Sequence, residues 1–294
     1  MTVVENVTPT LAPGELPPMD HAARLDRLRG RLDGAGVDAL VVSELANLRY
    51  LTGFTGSSGM LLVAPDRALF VTDVRYRTQS ADHLDAAGVD VEIEISAGAP
   101  DEAIATAARG SGRLGLEADS VTWSAHLRWA DELHDGELVP TSGLVEDLRL
   151  VKDAGEVARI RAACAIADRA LGSVAGRLLD GPTEREFALE LEAAMMGLGA
   201  DDLSFETIVA AGPNGAMPHH SPSHRHVAEG DLVVIDFGAL VEGYHSDMTR
   251  AFTVGEVGAD PRAMLDFVSE SQLLGVEAFR AGEEALEVDR RCRE

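Results

Sequence analysis

Apolar and polar positions alternate with two different periods through the first half of the chain. Leucines spaced three and four residues apart predict a helix from Ala22 to about Ala35, and residues 101–109 also have a helical pattern. Short apolar or alternating runs predict strands at 39–42, 60–63, 68–71, 89–95 and 114–116. The run 39–42 is wholly apolar, as expected for a strand buried on both faces. Mixed strands and helices of this kind are typical of an α/β domain.

The pattern changes near Leu150. Apolar residues at spacings of three and four predict a long amphipathic helix from 157 to 178, which Gly181 and Pro182 interrupt. Thr183 and Glu186 form a capping-box signature at the start of a second helix. Strand patterns follow at 207–211, 232–237 and 244–254, and a helical pattern at 261–281.

Composition narrows the classes of partner. The chain has 294 residues, with 50 acidic and 25 basic side chains and a net charge of −25, so we expect neither nucleic acid nor membrane surfaces as partners. Two distant cysteines make no disulfide framework. No apolar run approaches the roughly 20 residues of a membrane span, and the first twenty residues do not resemble a signal peptide. We therefore expect a disordered arm over residues 1–20 and a cytoplasmic location.

Two aspartates are the first candidate for chemistry. Asp236 interrupts an otherwise apolar strand, and Asp247 follows a turn. A turn centred between Val241 and Glu242 would place the two aspartates opposite each other, with β-carbons about 5 Å apart. Carboxylates that close repel unless one is protonated or a cation lies between them, and hard divalent cations prefer oxygen ligands. The alternative is that Asp247 pairs with Arg250 or caps a turn, and spacing alone leaves both open.

A histidine-rich loop is the second candidate. Residues 219–226 contain four histidines, at 219, 220, 224 and 226. The loop is either a polar surface loop or a place where metal binds adventitiously. A histidine beside the aspartate pair would be able to donate to a developing oxyanion or to move a proton.

Three segments in order resemble the Xaa-Pro aminopeptidases and prolidases, which share the pita-bread catalytic fold with methionine aminopeptidases and creatinase. Ala39–Arg75, with the runs 47–54 and 70–76, is similar to the N-terminal domain of that family. Leu148–Lys152 followed by Glu156 resembles the start of its catalytic domain, and Gly212–Gly255 resembles the first half of its active site. The resemblance implies an α/β (α+β) protein with a creatinase/prolidase-like mixed-sheet domain over 21–147 and a pita-bread domain over 148–294.

The resemblance also implies roles for individual residues. Asp236 matches a metal-ligating aspartate, and Asp247 matches the aspartate that bridges two metal ions. His219, after Pro218, matches the histidine that contacts substrate or intermediate, and Thr249 matches a hydroxyl that supports the bridging carboxylate. The implied activity is hydrolysis of the bond before proline by a metal-activated water. Two divalent ions are implied, manganese first and cobalt or zinc as alternatives, with proline-containing peptides as substrates and a homodimer as the assembly.

One departure from the family pattern bears on activity. The family's site takes three further ligands, a histidine and two glutamates, from later strands, and this chain has no histidine after Asp247. It ends at Glu294, in a predicted helix over 286–293. We therefore expect a pita-bread domain lacking its C-terminal half and a chain that is inactive by itself. Two other readings remain, a metal-free creatinase-like hydrolase and a non-enzymatic pita-bread protein that binds a partner.

Overall fold

The computed structural model describes residues 16–98, 100–133 and 136–294. The described chain divides into two compact units. One is Pro17–Glu156, and the other is Val157–Glu294 together with Leu16. Fifteen residues of the expected disordered arm lie outside the described residues. In the described part of the chain, no helix combines the length and apolar character needed to cross a membrane.

The unit Pro17–Glu156 is built on a six-stranded mixed sheet. Its strands, in chain order, are β1 (Ala39–Val42), β2 (Met60–Val63), β3 (Ala68–Asp73), β4 (Glu92–Ser96), β5 (Arg113–Glu117) and β6 (Glu137–Thr141). The spatial order is β4-β3-β2-β1-β5-β6. The neighbours β1–β2 and β2–β3 are antiparallel, whereas β3–β4, β1–β5 and β5–β6 are parallel.

Helices cover both faces of this sheet. They are α1 (His21–Arg29), α2 (Leu45–Thr52), α3 (Arg77–Ala87), α4 (Pro100–Ala107), α5 (Trp123–Glu132) and α6 (Glu146–Leu150). Leu40 and Val42 of β1 pack in one core with leucines of α1 and α2. Ala39 and Val41 point to the other face, where they join a core that includes residues of α4 and α5. All four residues of β1 are buried, as its apolar run predicts.

A buried ion cluster also stabilises this unit. The side chain of Arg24 is fully buried, and its guanidinium lies 2.6 Å from Asp153 Oδ2 and 3.3 Å from Glu156 Oε2. It also donates to the Tyr50 carbonyl at 2.8 Å and lies 4.2 Å from the centre of the Tyr50 ring. A buried charge is tolerated when it is paired and hydrogen-bonded in this way.

The unit from Val157 onward contains long helices and two small sheets. Its elements are α7 (Ala154–Val174, in this unit from Val157), α8 (Glu184–Gly197), β7 (Asp202–Leu203), β8 (Ile208–Ala211), β9 (Leu232–Phe237), β10 (Ala239–Val241), β11 (Tyr244–His245), β12 (Met248–Thr253), α9 (Ala259–Ala278) and α10 (Ala285–Arg293). The sheets have the orders β12-β9-β8 and β11-β10-β7. The Thr183–Glu186 capping box predicted for α8 is present.

One face of the β12-β9-β8 sheet packs on α7 and α8. Val233, Ile235 and Phe237 of β9 are fully buried and share a core with apolar residues of both helices. The alternate residues of β9 point to the opposite face and are half-buried. We call this second face the open face. By contrast, α9 keeps large apolar side chains exposed, and Phe267 has a relative exposure of 73%.

Candidate functional site

Three residues from neighbouring strands form a row across the open face. Asp236 of β9 lies opposite Ile208 of β8 on one side and opposite Thr249 of β12 on the other. Directly opposed residues of an antiparallel pair point to the same face, so the Asp236 and Thr249 side chains are neighbours. Thr249 Oγ1 donates to Asp236 Oδ1 at 2.9 Å. The second carboxylate oxygen of Asp236 has no hydrogen-bond partner among the described residues.

The expected pairing of Asp236 with Asp247 is wrong by two residues. The turn is centred between Glu242 and Gly243, because both adopt positive φ, 46° and 84°. Two-residue hairpin turns require this backbone, which glycine adopts freely and other residues adopt with strain. Tertiary contacts stabilise the strained backbone of Glu242. Its N–H donates to Asp201 at 2.6 Å, and its carboxylate lies 2.7 Å from the Arg159 guanidinium.

Asp247 lies in a gap between two strands of the hairpin. Ser246 and Asp247 lie between β11 and β12, outside both strands. Ala239 N donates to Ser246 Oγ at 2.9 Å. The Ser246 carbonyl approaches Gly238 so closely that a β-carbon on Gly238 would lie 1.9 Å from its oxygen. Asp247 is exposed in this gap, two residues before Thr249.

The supporting hydroxyl therefore has a different partner from the one implied by the resemblance. Thr249 was expected to support Asp247, but it donates to Asp236. The alternative ion pair between Asp247 and Arg250 does not form either. Arg250 lies 3.7 Å from Asp168 and donates to the Thr249 carbonyl.

The segment between β8 and β9, residues 212–231, lies next to the open face, and we call it the His219 loop. It begins with a 3₁₀ turn, Gly212–Ala216, where a β-carbon on Gly215 would lie 3.8 Å from Val234 Cγ2. Val234 and Asp236 are two residues apart on β9 and so share the open face. His219 follows three residues after the turn, is exposed, and makes no side-chain hydrogen bond to any described residue.

A buried glutamate that the sequence patterns did not single out anchors this loop. Glu184, the first residue of α8, has a fully buried side chain. Its Oε1 accepts from Ala211 N and Asn214 Nδ2, both at 2.8 Å. Its Oε2 accepts from Ser223 N at 3.0 Å and Oγ at 2.6 Å, and lies 2.8 Å from His220 Nε2. Burial raises the pKa of a carboxyl, but these hydrogen bonds outweigh it and lower the pKa of Glu184 to about 2.

An ion pair closes the far end of the loop. Arg225 donates from both terminal guanidinium nitrogens, Nη1 and Nη2, to the Asp231 carboxylate, at 2.7 and 2.8 Å. Ala228 N also donates to Asp231 at 2.9 Å. Burial raises the pKa of Asp231, but the Arg225 guanidinium and the Ala228 amide hold it below its usual range. The loop is therefore fixed at both ends by charge-assisted hydrogen bonds.

The candidate ligand atoms are of the type that a divalent cation prefers, but there are too few of them for a complete site. Asp236 and Asp247 supply the carboxylate oxygens that hard cations prefer. Across residues 16–98, 100–133 and 136–294, no three His, Cys, Asp or Glu side chains are grouped to hold a metal ion. Two carboxylates would thus be part of a site rather than a whole one.

Family comparisons place this geometry in context. The sequence model of the Creatinase/Prolidase N-terminal domain matches residues 24–151, and that of Metallopeptidase family M24 matches residues 158–294. An uncharacterized peptidase of Bacillus subtilis is 35% identical over 266 residues, which cover 90% of this chain and 75% of the relative. A Xaa-Pro dipeptidase of Pyrococcus furiosus is 30% identical over 273 residues, covering 92% of this chain and 76% of the relative.

Solved structures agree with these matches. The Xaa-Pro dipeptidase from Bacillus anthracis superposes with a TM-score of 0.88 at 37% identity, covering 92% of this chain and 76% of that one. The X-Pro aminopeptidase from Thermotoga maritima superposes with a TM-score of 0.80 at 30% identity, covering 88% and 74%. This chain is therefore a member of metallopeptidase family M24, with a creatinase/prolidase N-terminal domain followed by a pita-bread domain.

Proposed function

We propose that the open face of the β12-β9-β8 sheet supplies metal ligands for hydrolysis of the bond before proline in Xaa-Pro peptides. Family membership and relatives described as Xaa-Pro dipeptidases support the reaction class. The observation that carries the proposal is the Asp236 carboxylate. It stands on the half-buried face of an otherwise apolar strand, with one oxygen held by Thr249 and the other without a partner among the described residues.

Asp236 and Asp247 are the residues that would hold the metal. We propose two divalent ions, manganese in preference to cobalt or zinc, because the donor set is made of carboxylate oxygens. A divalent ion in such a site polarises the scissile carbonyl and lowers the pKa of water. Thr249 restricts the orientation of the Asp236 carboxylate, so that its unpartnered oxygen is presented in one direction.

His219 is the proposed catalytic side chain. Its imidazole is exposed and makes no hydrogen bond to a described residue, so it is free to contact a peptide bound on the open face. There it would donate to the oxygen on which negative charge develops, or move a proton to the leaving amine. A homodimer and a cytoplasmic location remain predictions from the sequence, as does the inactivity of the 294-residue chain.

Paramagnetic broadening by Mn²⁺ tests the metal site even if binding is weak. The isotope-labelled chain is titrated with Mn²⁺ while amide signals are recorded. We expect the amides of Asp236, Asp247 and Thr249 to lose intensity first, and Asp236→Asn to abolish that selectivity. Asp266→Asn is the matched control, since Asp266 is an exposed aspartate on α9. This control is needed because a protein with a net charge of −25 attracts cations over its whole surface.

Two results would count against the proposal. Even broadening over the acidic surface, or an unchanged pattern in Asp236→Asn, would show that the aspartates are not ligands. The metal-free hydrolase or the partner-binding protein would then be favoured. The same samples, given an Xaa-Pro dipeptide and Mn²⁺, test the expected inactivity. Hydrolysis that depends on Mn²⁺ and is lost in Asp236→Asn would contradict the inactivity and support the function.

A further inference from the structure

The Glu184 carboxylate joins both sides of the His219 loop to the first turn of α8. Its partners lie at 211, 214, 220 and 223, so His219 is enclosed between positions bound to one buried group. The lowered pKa keeps Glu184 ionised at neutral pH. Each contact is therefore charge-assisted, and such bonds are roughly twice as strong as neutral ones.

The ionised carboxylate also fixes the His220 ring. An ionised carboxylate accepts hydrogen bonds and cannot donate, so His220 Nε2, at 2.8 Å, carries the proton. The His220 side chain is only 10% exposed, which leaves it little freedom to rotate. Glu184 thus selects both the tautomer and the position of the residue that follows His219.

A tight turn transmits this constraint to His219. The His220 amide donates to the Met217 carbonyl at 3.3 Å, which closes a four-residue turn with Pro218 and His219 at its centre. Proline is favoured at the first central position because its φ is already fixed. With Pro218 rigid and His220 held by Glu184, the backbone from which the His219 side chain projects is fixed.

We infer that Glu184 is a positioning residue, whose carboxylate fixes His220 and so holds the turn that directs His219 over the open face. The inference rests on the proposed function, in which His219 acts beside Asp236. Thr183 and Glu186 cap the same helix turn, but their side chains hydrogen-bond to each other's backbone and side chain and make no hydrogen bond to the turn at 217–220. Glu186→Gln is thus a matched control, because glutamine also serves in a capping box.

Four variants and two readouts test this. Glu184→Gln puts an amide –NH₂ against hydrogen-bond donors, and His220→Leu removes the ring donor, whereas His220→Gln retains an N–H donor. Without metal, we expect amide exchange at residue 220 to accelerate by roughly 10- to 100-fold in Glu184→Gln and His220→Leu, the range expected for a hydrogen bond to a charged group. Glu186→Gln should match the wild type, and His220→Gln should restore most of the protection.

The second readout reports the direction of His219 itself. With Mn²⁺ as the probe, broadening of the His219 ring signals is compared with that of the Asp236 amide. We expect the ratio to fall in Glu184→Gln and His220→Leu and to be kept in Glu186→Gln and His220→Gln. Far-UV circular dichroism checks folding. If Glu184→Gln is unfolded, the two His220 variants decide the outcome.

The failures are distinguishable. Missing Asp236 broadening in the wild type would overturn the proposed function. Normal Asp236 broadening, with an unchanged His219 ratio in Glu184→Gln and His220→Leu, would overturn the positioning role alone. Unchanged amide exchange at residue 220 in those variants would show that Glu184 does not hold the turn.

Discussion

Gly238→Ala should be among the most damaging single substitutions in the unit from Val157 onward. The added β-carbon would lie 1.9 Å from the Ser246 carbonyl oxygen and 2.9 Å from the Ser204 side chain. The first neighbour is backbone, so it cannot rotate away. The φ of Gly238 lies outside the left-handed region. An alanine there would therefore suffer the steric clash but no backbone strain. Overpacking costs about 1–3 kcal/mol, and this contact belongs at the upper end, about 3 kcal/mol.

Native-state hydrogen exchange is the appropriate assay for this substitution. Both tryptophans, Trp123 and Trp129, lie in the unit Pro17–Glu156, so fluorescence does not report on the hairpin. A loss of about 3 kcal/mol should accelerate exchange of the β9 amides by roughly 100-fold if they open with the unit. The Asp247 amide should also shift, because the displaced Ser246 carbonyl immediately precedes it.

The control is another glycine in the same unit. Gly172 lies in α7 with no atom within 4 Å of the place where its β-carbon would sit. Gly172→Ala should therefore stabilise the unit by about 0.5–1 kcal/mol, through helix propensity alone. A Gly238→Ala protein within about 0.5 kcal/mol of the wild type would refute the reasoning, since that is the range of neutral surface changes.

Three further predictions follow from particular contacts. Thr249→Val removes the hydroxyl that holds Asp236 but keeps a β-branched side chain; we expect a stability change below about 1 kcal/mol by hydrogen exchange, and about 10- to 100-fold weaker Mn²⁺ binding by titration. Arg24→Ala removes the guanidinium that pairs with the buried Glu156 carboxylate and should cost about 3–5 kcal/mol in urea unfolding followed by tryptophan fluorescence; a cost below 1 kcal/mol would contradict the importance of the pair. The folded-state pKa of Glu184, about 2, is below its ordinary value of 4.5, so its stabilising effect is complete above pH 4.5 and is lost as pH falls toward 2. Acid titration of hydrogen exchange should therefore be shallower in Glu184→Gln, and equal slopes would refute the assignment.

Local patterns predicted the elements whose signals are self-contained. The apolar run 39–42 is the buried strand β1, and the two runs around Pro65 form the β2–β3 hairpin. The capping box of α8 formed because both partners lie within one turn of helix. The hairpin and the capping box join residues that are close in sequence. The strand β1 was predictable because its apolar run already marks it as buried on both faces, although its partners β2 and β5 come later in the chain.

Elements with weak or interrupted patterns were misjudged or missed. The predicted helix from Ala22 to Ala35 ends at Arg29, and successive turns replace its last residues. The long helix ends at Val174, followed by a 3₁₀ segment, Ala175–Asp180. Helices α2, α3 and α5 were not predicted from periodicity, because much of their stability comes from packing on the sheet rather than from an unbroken apolar stripe.

The family and the two-part fold were predictable because the motifs that carry them are contiguous, and the family assignment is confirmed. The roles given to His219, Asp236, Asp247 and Thr249 remain predictions.

The sequence by itself determined the buried strand β1, the β2–β3 hairpin, the capping box of α8, and that Asp236 interrupts an otherwise apolar strand. Only the tertiary structure decided what Asp236 lies opposite. The register depends on a turn that puts a glutamate in a positive-φ backbone, and contacts from Arg159 and Asp201 stabilise that backbone. Only the tertiary structure, likewise, gave Glu184 its partners, which lie 27 to 39 residues away. Local patterns report interactions between neighbours in the chain, whereas register and buried polar networks depend on contacts that form when distant segments pack together.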